Sequence, residues 1–130
     1  MNQESFDAIV IGAGQAGPSL AARCGEAGMR VALIERHLLG GTCVNTGCYP
    51  TKTLVASARA VHLARRGAEF GFEAGPVRVD MRRVKARMDG VVGASRAGVE
   101  EWVRGMRAWS GSPATLRSRR RARSAWATAS

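Results

Sequence analysis

Phe6-Asp7-Ala8-Ile9-Val10-Ile11 runs directly into Gly12-Ala13-Gly14-Gln15-Ala16-Gly17-Pro18, and the reading of that stretch decides the fold. The first part is a nearly continuous apolar run closed by glycine, the pattern of a short strand buried on both faces in a parallel sheet. Beyond the glycines, Leu20, Ala21, Cys24 and Ala27 recur at three- and four-residue steps, which predicts the buried face of a helix that stops near Gly28. Pro18 falls in or just past the first turn, where a missing N–H costs least. Arg30-Val31-Ala32-Leu33-Ile34-Glu35 repeats the buried-strand pattern. Residues 6–35 therefore read as a βαβ unit with a right-handed crossover.

A glycine cluster between a strand and a helix has a chemical use. Gly12 permits the tight turn, Gly14 lets backbone approach a pyrophosphate, and Gly17 lets the helix pack closely on the strand. The helix N-terminus adds free N–H groups and partial positive charge. Glu35 closes the second strand, 18 residues after Gly17, where a carboxylate accepts both hydroxyls of an adenosine ribose and repels a 2′-phosphate. Gly12, Gly14, Gln15, Ala16, Gly17 and Glu35 are thus candidate dinucleotide-binding residues, for FAD or NAD rather than NADP. The bland alternative is a glycine-rich turn with an incidental surface Glu.

Working outward, Gly40-Gly41-Thr42-Cys43-Val44-Asn45-Thr46-Gly47-Cys48-Tyr49-Pro50-Thr51-Lys52 carries two thiols five residues apart. In a straight helix that spacing is a rise of about 7.5 Å, beyond the usual Cα reach of a disulfide. A bridge requires the backbone to bend, and Gly40, Gly41, Gly47 and Pro50 flank the pair with that freedom and restriction. A helix start here would lower thiol pKa, and Lys52 would add positive charge one turn after Cys48. The combination points to a reactive pair. Three bland alternatives stand beside it: a structural disulfide, a zinc half-site drawing on Cys24, His37 or His62, and two unrelated buried thiols.

Farther along, Thr53 to Arg66 reads as a helix with Leu54, Val55, Ala58, Val61 and His62 toward one side, broken by Gly67 to Gly75. Met81 to Met106 reads as a second long helix through Met81, Val84, Met88, Val91, Val92, Val99, Trp102, Val103 and Met106. Cys24 reads as a core thiol, His37 as a solvated loop residue and His62 as structural, without a nameable partner. Arg82, Arg83, Lys85 and Arg87 read as a solvated helix face. No metal site is expected.

The whole chain has 130 residues, 45% of them hydrophobic, which suits one globular domain rather than a disordered or membrane-spanning chain. Met1 to Asp7 is polar and carries Glu4 and Asp7, so no secretory leader is expected and a cytoplasmic location is the default. The formal charge of +10 is uneven. Residues 104–130 hold seven Arg and no acid, with one Leu and no Val, Ile, Phe or Tyr. Residues 106–130 are expected to be a low-complexity, disordered basic tail, produced by out-of-frame translation of a GC-rich coding sequence. The alternative is a nucleic-acid-binding arm at Arg117 to Arg123, with Trp109 and Trp126 available to stack on bases.

The glycine fingerprint, Glu35, and the run from Gly40 to Lys52 together resemble the class I pyridine nucleotide-disulfide oxidoreductases: dihydrolipoamide dehydrogenase, glutathione reductase and mercuric reductase. The resemblance covers about residues 5–105. Val44-Asn45, Thr51-Lys52 and the alanine-rich helix after them are most similar to mercuric reductase-like members. Tyr49 departs from the usual aliphatic residue beside the second Cys, and Thr46 from a common Val. The resemblance implies an α/β fold: an incomplete Rossmann-like FAD-binding domain, a βαβ unit plus two long helices, over residues 1–105. It implies FAD with its pyrophosphate at Gly12 to Gly17, its ribose on Glu35 and its isoalloxazine on Cys48. Electrons would pass from NAD(P)H through FAD to a Cys43–Cys48 disulfide, with Cys43 exchanging with substrate. Gly41, Thr42, Gly47 and Lys52 would line the cofactor site, Thr42 at the pyrophosphate and Lys52 near the flavin N5 edge. The family's third parallel strand, NAD(P)H domain and dimerisation domain are not recognisable here, so the homodimer that the family implies would lack its interface. A remnant that binds FAD without turnover is the alternative, and two strands alone are expected to fold weakly.

Overall fold

Ala8–Ile11 (β1) and Val31–Ile34 (β2) pair in parallel in the computed structural model, which describes residues 5–106, with register Ala8 on Val31 through Ile11 on Ile34. Gly17–Glu26 (α1) connects them, completing the expected βαβ unit. The described residues fall into two units, residues 5–41 with 99–106, and residues 42–98.

In the first unit Ala13, Ala21, Val31, Leu33, Leu39 and Val103 form the core, with Ala8, Val10, Cys24, Val99 and Met106 packed against it. Paired residues of parallel strands share a face, so Ala8, Val10, Val31 and Leu33 supply one apolar surface for the core. Pro18 lies in the first turn of α1, and Gly28 ends the helical segment at φ +85°, a left-handed conformation suited to glycine.

Two expectations fail here. β1 is not buried on both faces: Ile9 is 60% and Ile11 76% exposed. A parallel strand is buried on both faces only where helices cover both, and the second face is covered unevenly: Ala32 on β2 is buried there while Ile9 and Ile11 on β1 are open. On α1 the packed stripe runs through Pro18, Ala21 and Cys24, while Leu20 and Ala27 are exposed. At 3.6 residues per turn, those two lie about 100° or more round the helix from the centre of that stripe.

The second unit contains most of Gly41–Asn45 (α2), all of Cys48–Arg65 (α3), a short 3-10 turn at Gly67–Phe70, and the greater part of Met81–Arg104 (α4), up to Gly98. α3 begins at Cys48 rather than at the expected Thr53, because Pro50 falls in the first turn, where no intrahelical N–H bond is lost. The short helix α2 was not expected. Asp80 caps α4, its Oδ1 accepting from the N–H groups of Arg82 (2.9 Å) and Arg83 (3.2 Å). Arg87 is not simply solvated: its Nη1 donates to Thr53 O (3.1 Å) and Ser57 Oγ (3.3 Å), tying α4 to α3. His62 also has a partner, Arg66 Nη1 at 3.2 Å, and Arg66 pairs with Glu69.

The side of α3 expected to be buried is largely open. Leu54 and Val55 are exposed, and Leu54, Ala58 and Val61 line a groove of about 410 Å³ with Val79, Met81 and Val84. Among the described residues, no helix is long and apolar enough to cross a membrane. The basic tail, including Arg117 to Arg123, Trp109 and Trp126, lies outside the described residues.

Candidate dinucleotide loop and thiol pair

The glycine loop is built by the end of β1. Gly12 takes φ +101° and donates its N–H to Ile34 O (2.7 Å), so the chain leaves the strand by a turn that favours glycine. Ala13 is fully buried and held from both sides. Its N–H donates to Glu35 Oε2 (2.8 Å), and its carbonyl accepts from Gly40 N–H (2.8 Å). Gly17 has no alternative: a Cβ there would stand 1.9 Å from the Gly12 carbonyl oxygen. Gly14 differs, since a Cβ there would meet nothing within 4 Å. That open backbone lies in the turn leading to α1, whose N-cap, Ala16, supplies no side-chain hydrogen bond.

Glu35 sits beside this loop with its second oxygen, Oε1, accepting from His37 N–H (2.8 Å). Burial opposes its charge, but N–H groups of Ala13, His37 and Arg36, helped by the Arg36 guanidinium, outweigh it and hold the carboxyl below its ordinary value. The residues fit a dinucleotide: open backbone for phosphate, an uncapped helix N-terminus, and an ionised carboxylate at the end of β2.

The loop has a further wall that sequence reasoning missed. Gly41 lies so close that a Cβ on it would stand 2.8 Å from Gly14 Cα, and its φ is +59°. Gln15 directs its Nε2 to Gly40 O at 3.4 Å. Two consecutive glycines were the available signal; Gly41 was expected to line the cofactor site, but the packing of Gly40 and Gly41 against the glycine loop was not. A cleft of about 220 Å³ in the same unit is lined by Glu35, His37, Leu38, Leu39, Glu100 and Arg104. Glu100 and Arg104, ion-paired at 3.3 Å, were not singled out in the sequence.

In the second unit, Cys43 lies in α2 and Cys48 is the first residue of α3. The backbone bends between them, as the spacing demands: Thr46 N–H closes on Thr42 O (2.9 Å), and a Cβ at Gly47 would stand 2.9 Å from that same oxygen. Both thiols are free, Cys43 half-buried and Cys48 exposed. The Cys43 thiol is raised above its ordinary pKa, first by its hydrogen bond with the Cys48 sulfur, then by burial and by charge on Cys48. The Cys48 backbone and the Lys52 charge pull the other way and lose. A helix start near Cys43 therefore does not depress its pKa as expected, because the neighbouring sulfur dominates. Arg96 reaches Asn45, the residue ending α2, with Nη1 3.4 Å from Oδ1. Thr42, Tyr49 and Lys52 are exposed.

The structure thus gathers Gly12, Gly14, Gln15, Ala16, Gly17, Glu35 and Gly41 in one unit, and Thr42, Cys43, Gly47, Cys48 and Lys52 in the other. Among the described residues, no three His, Cys, Asp or Glu side chains gather as a metal site.

This chain is similar to dihydrolipoyl dehydrogenase of Chlamydia muridarum, 41% identical over 101 residues covering 78% of this chain and 22% of that protein. Mercuric reductase of Lysinibacillus sphaericus is 35% identical over 96 residues, 74% of this chain and 18% of that one. Two solved structures of the Cu(II) complex of the HOCl-induced flavoprotein disulfide reductase RclA from Escherichia coli align with TM-scores of 0.64 and 0.60, at 33% and 35% identity. Each alignment covers 82% of this chain and 21% of that structure. The chain therefore spans about a fifth of the length of these relatives. The family they represent contains oxidoreductases that use FAD and NAD(P)H. Residues 6–111 match that family, so the chain belongs to the pyridine nucleotide-disulphide oxidoreductases.

Proposed function

We propose that the chain is the FAD-binding, thiol-bearing portion of a homodimeric flavoenzyme. That enzyme passes electrons from NAD(P)H through FAD to a Cys43–Cys48 disulfide, and then to a thiol/disulfide or Hg(II)-type substrate. The observation that carries this reading is the hydrogen-bonded thiol pair, set on two successive helices by a bend that brings residues five apart into contact. FAD, when bound, supplies two-electron transfer between a nicotinamide and a disulfide.

The chain's own residues divide the work. The backbone at Gly12 to Gly17 and the α1 N-terminus hold the pyrophosphate, and Glu35 accepts the ribose hydroxyls. Gly41 leaves room beside Gly14, Thr42 donates toward the pyrophosphate, and Lys52 places positive charge near the flavin edge. Two electrons and two protons convert the Cys43–Cys48 bridge to two thiols. Cys43, as thiolate, then attacks a substrate disulfide, forming a mixed disulfide and releasing one substrate thiolate. Cys48 attacks the Cys43 sulfur, re-forming the bridge and releasing the second. A thiophilic cation is the other substrate class that two adjacent sulfurs suit, supported by the mercuric reductase relative.

The experiment is flavin binding by the purified full chain, followed by NADH- and NADPH-driven reduction of a disulfide or of Hg(II). Retention of FAD, with a visible flavin spectrum that changes on thiol reduction in the native chain but not in Cys48→Ser, is the expected result. FAD retention without turnover identifies a cofactor-binding portion that needs the rest of the enzyme. Failure to bind FAD at saturating concentration refutes the reading.

A further inference from the structure

Three consecutive residues of the glycine loop touch the same two residues farther along the chain. Ala13 O accepts from Gly40 N–H at 2.8 Å, Gly14 Cα lies against Gly41, and Gln15 Nε2 reaches Gly40 O at 3.4 Å. Gly40 is consequently gripped at both its N–H and its carbonyl, and it is buried. Gly41, at φ +59°, is held where no side chain fits. Of the loop's contributions to this grip, Gln15 alone uses a side chain.

We infer that Gln15 is a positioning residue: it fastens Gly40–Gly41 against the glycine loop, and so fixes the backbone that receives the dinucleotide's pyrophosphate. The ligand's identity rests on the flavoprotein reading above, whereas the clasp rests on the contacts alone. The chemistry of the side chain suits the task. Glutamine has the reach and a neutral donor for a carbonyl oxygen. Glutamate, at the same length, has no proton to give when ionised and would set an anion beside two phosphates. Methionine keeps the length and loses the donor.

The test is Gln15→Met in the full chain, read two ways. Hydrogen exchange is followed without added FAD in peptides spanning Leu39–Gly41 and in peptides of β1 and β2. The clasp predicts faster exchange confined to Leu39–Gly41, with both strands protected as in the native chain. FAD affinity is measured in parallel and is expected to fall about two- to tenfold, the span of one neutral hydrogen bond. Unchanged exchange at Leu39–Gly41 overturns the inference, and so does an equal rise across β1 and β2, which marks general loosening of the unit. A native chain that binds no FAD refutes the flavoprotein reading, and the exchange comparison still decides the clasp.

Discussion

Glu35→Gln is the most informative single substitution in this chain. Two backbone N–H groups converge on two different oxygens of the carboxylate, Ala13 on Oε2 and His37 on Oε1, both at 2.8 Å. A carboxamide offers one oxygen, so one bond survives and the other N–H meets an NH2 group. Hydrogen bonds to a charged group contribute about 1.5–3 kcal/mol. Because Glu35 is only half-buried, the loss belongs at the lower end, about 1–2 kcal/mol. With a urea m-value of about 1–1.5 kcal/mol/M, the unfolding midpoint falls by about 1 M at neutral pH.

The same substitution has a pH signature. The Glu35 carboxyl in the folded chain lies below its ordinary value, so its stabilisation is complete above the unfolded carboxylate range, about pH 4.3, and is lost as pH falls through the folded value. The native chain should lose its advantage over Glu35→Gln below about pH 4. Urea titrations of both chains near pH 7 and about pH 3 check this, since the other carboxylates cancel in the difference. Equal midpoints at neutral pH, or a gap that does not narrow in acid, would refute the bonding scheme.

Gly17→Ala sets a Cβ 1.9 Å from the Gly12 carbonyl, so backbone must move by about 1 Å to restore an ordinary contact. A cost of about 3 kcal/mol or more follows, seen as loss of the cooperative far-UV melt, and a native-like melt would contradict the geometry. Cys48→Ala removes the hydrogen-bond partner and the charge that raise Cys43. The rate–pH profile of Cys43 alkylation should therefore move to lower pH, and an unmoved profile would show that burial alone sets its pKa.

The βαβ unit was legible because its signals agree: two apolar runs, a glycine cluster, and a helix stripe of the right period. Asp7 and Arg30 clasp the start of the two strands, Arg30 N–H donating to Asp7 Oδ2 and Asp7 N–H to Arg30 O, both at 2.8 Å. Other features were hidden for physical reasons. A continuous apolar run reports that both faces of a strand want cover but not whether neighbouring residues provide it, so the exposure of Ile9 and Ile11 was invisible. Pro50 reads as a helix stop until its place in the first turn is known. The thiol pair was legible as a spacing, whereas the rise in the Cys43 pKa comes from a contact made by a bend. Gly40 and Gly41 read as freedom beside the thiols, and Gly41 as part of the cofactor lining, but their packing against the loop is a matter of distances between residues some 26 positions apart.

The two isoleucines left open on β1 have a bearing on the life of the chain in a cell. Ile9 and Ile11 stand next to a sheet edge with apolar side chains open to water. Chaperones and proteases sort chains by surfaces of this kind, and the edge of β1 that has no strand beside it among the described residues is a template for self-association. Anything that shields Ile9 and Ile11 would therefore lower that exposure, and a ligand bound to the adjoining loop would favour the folded chain by mass action.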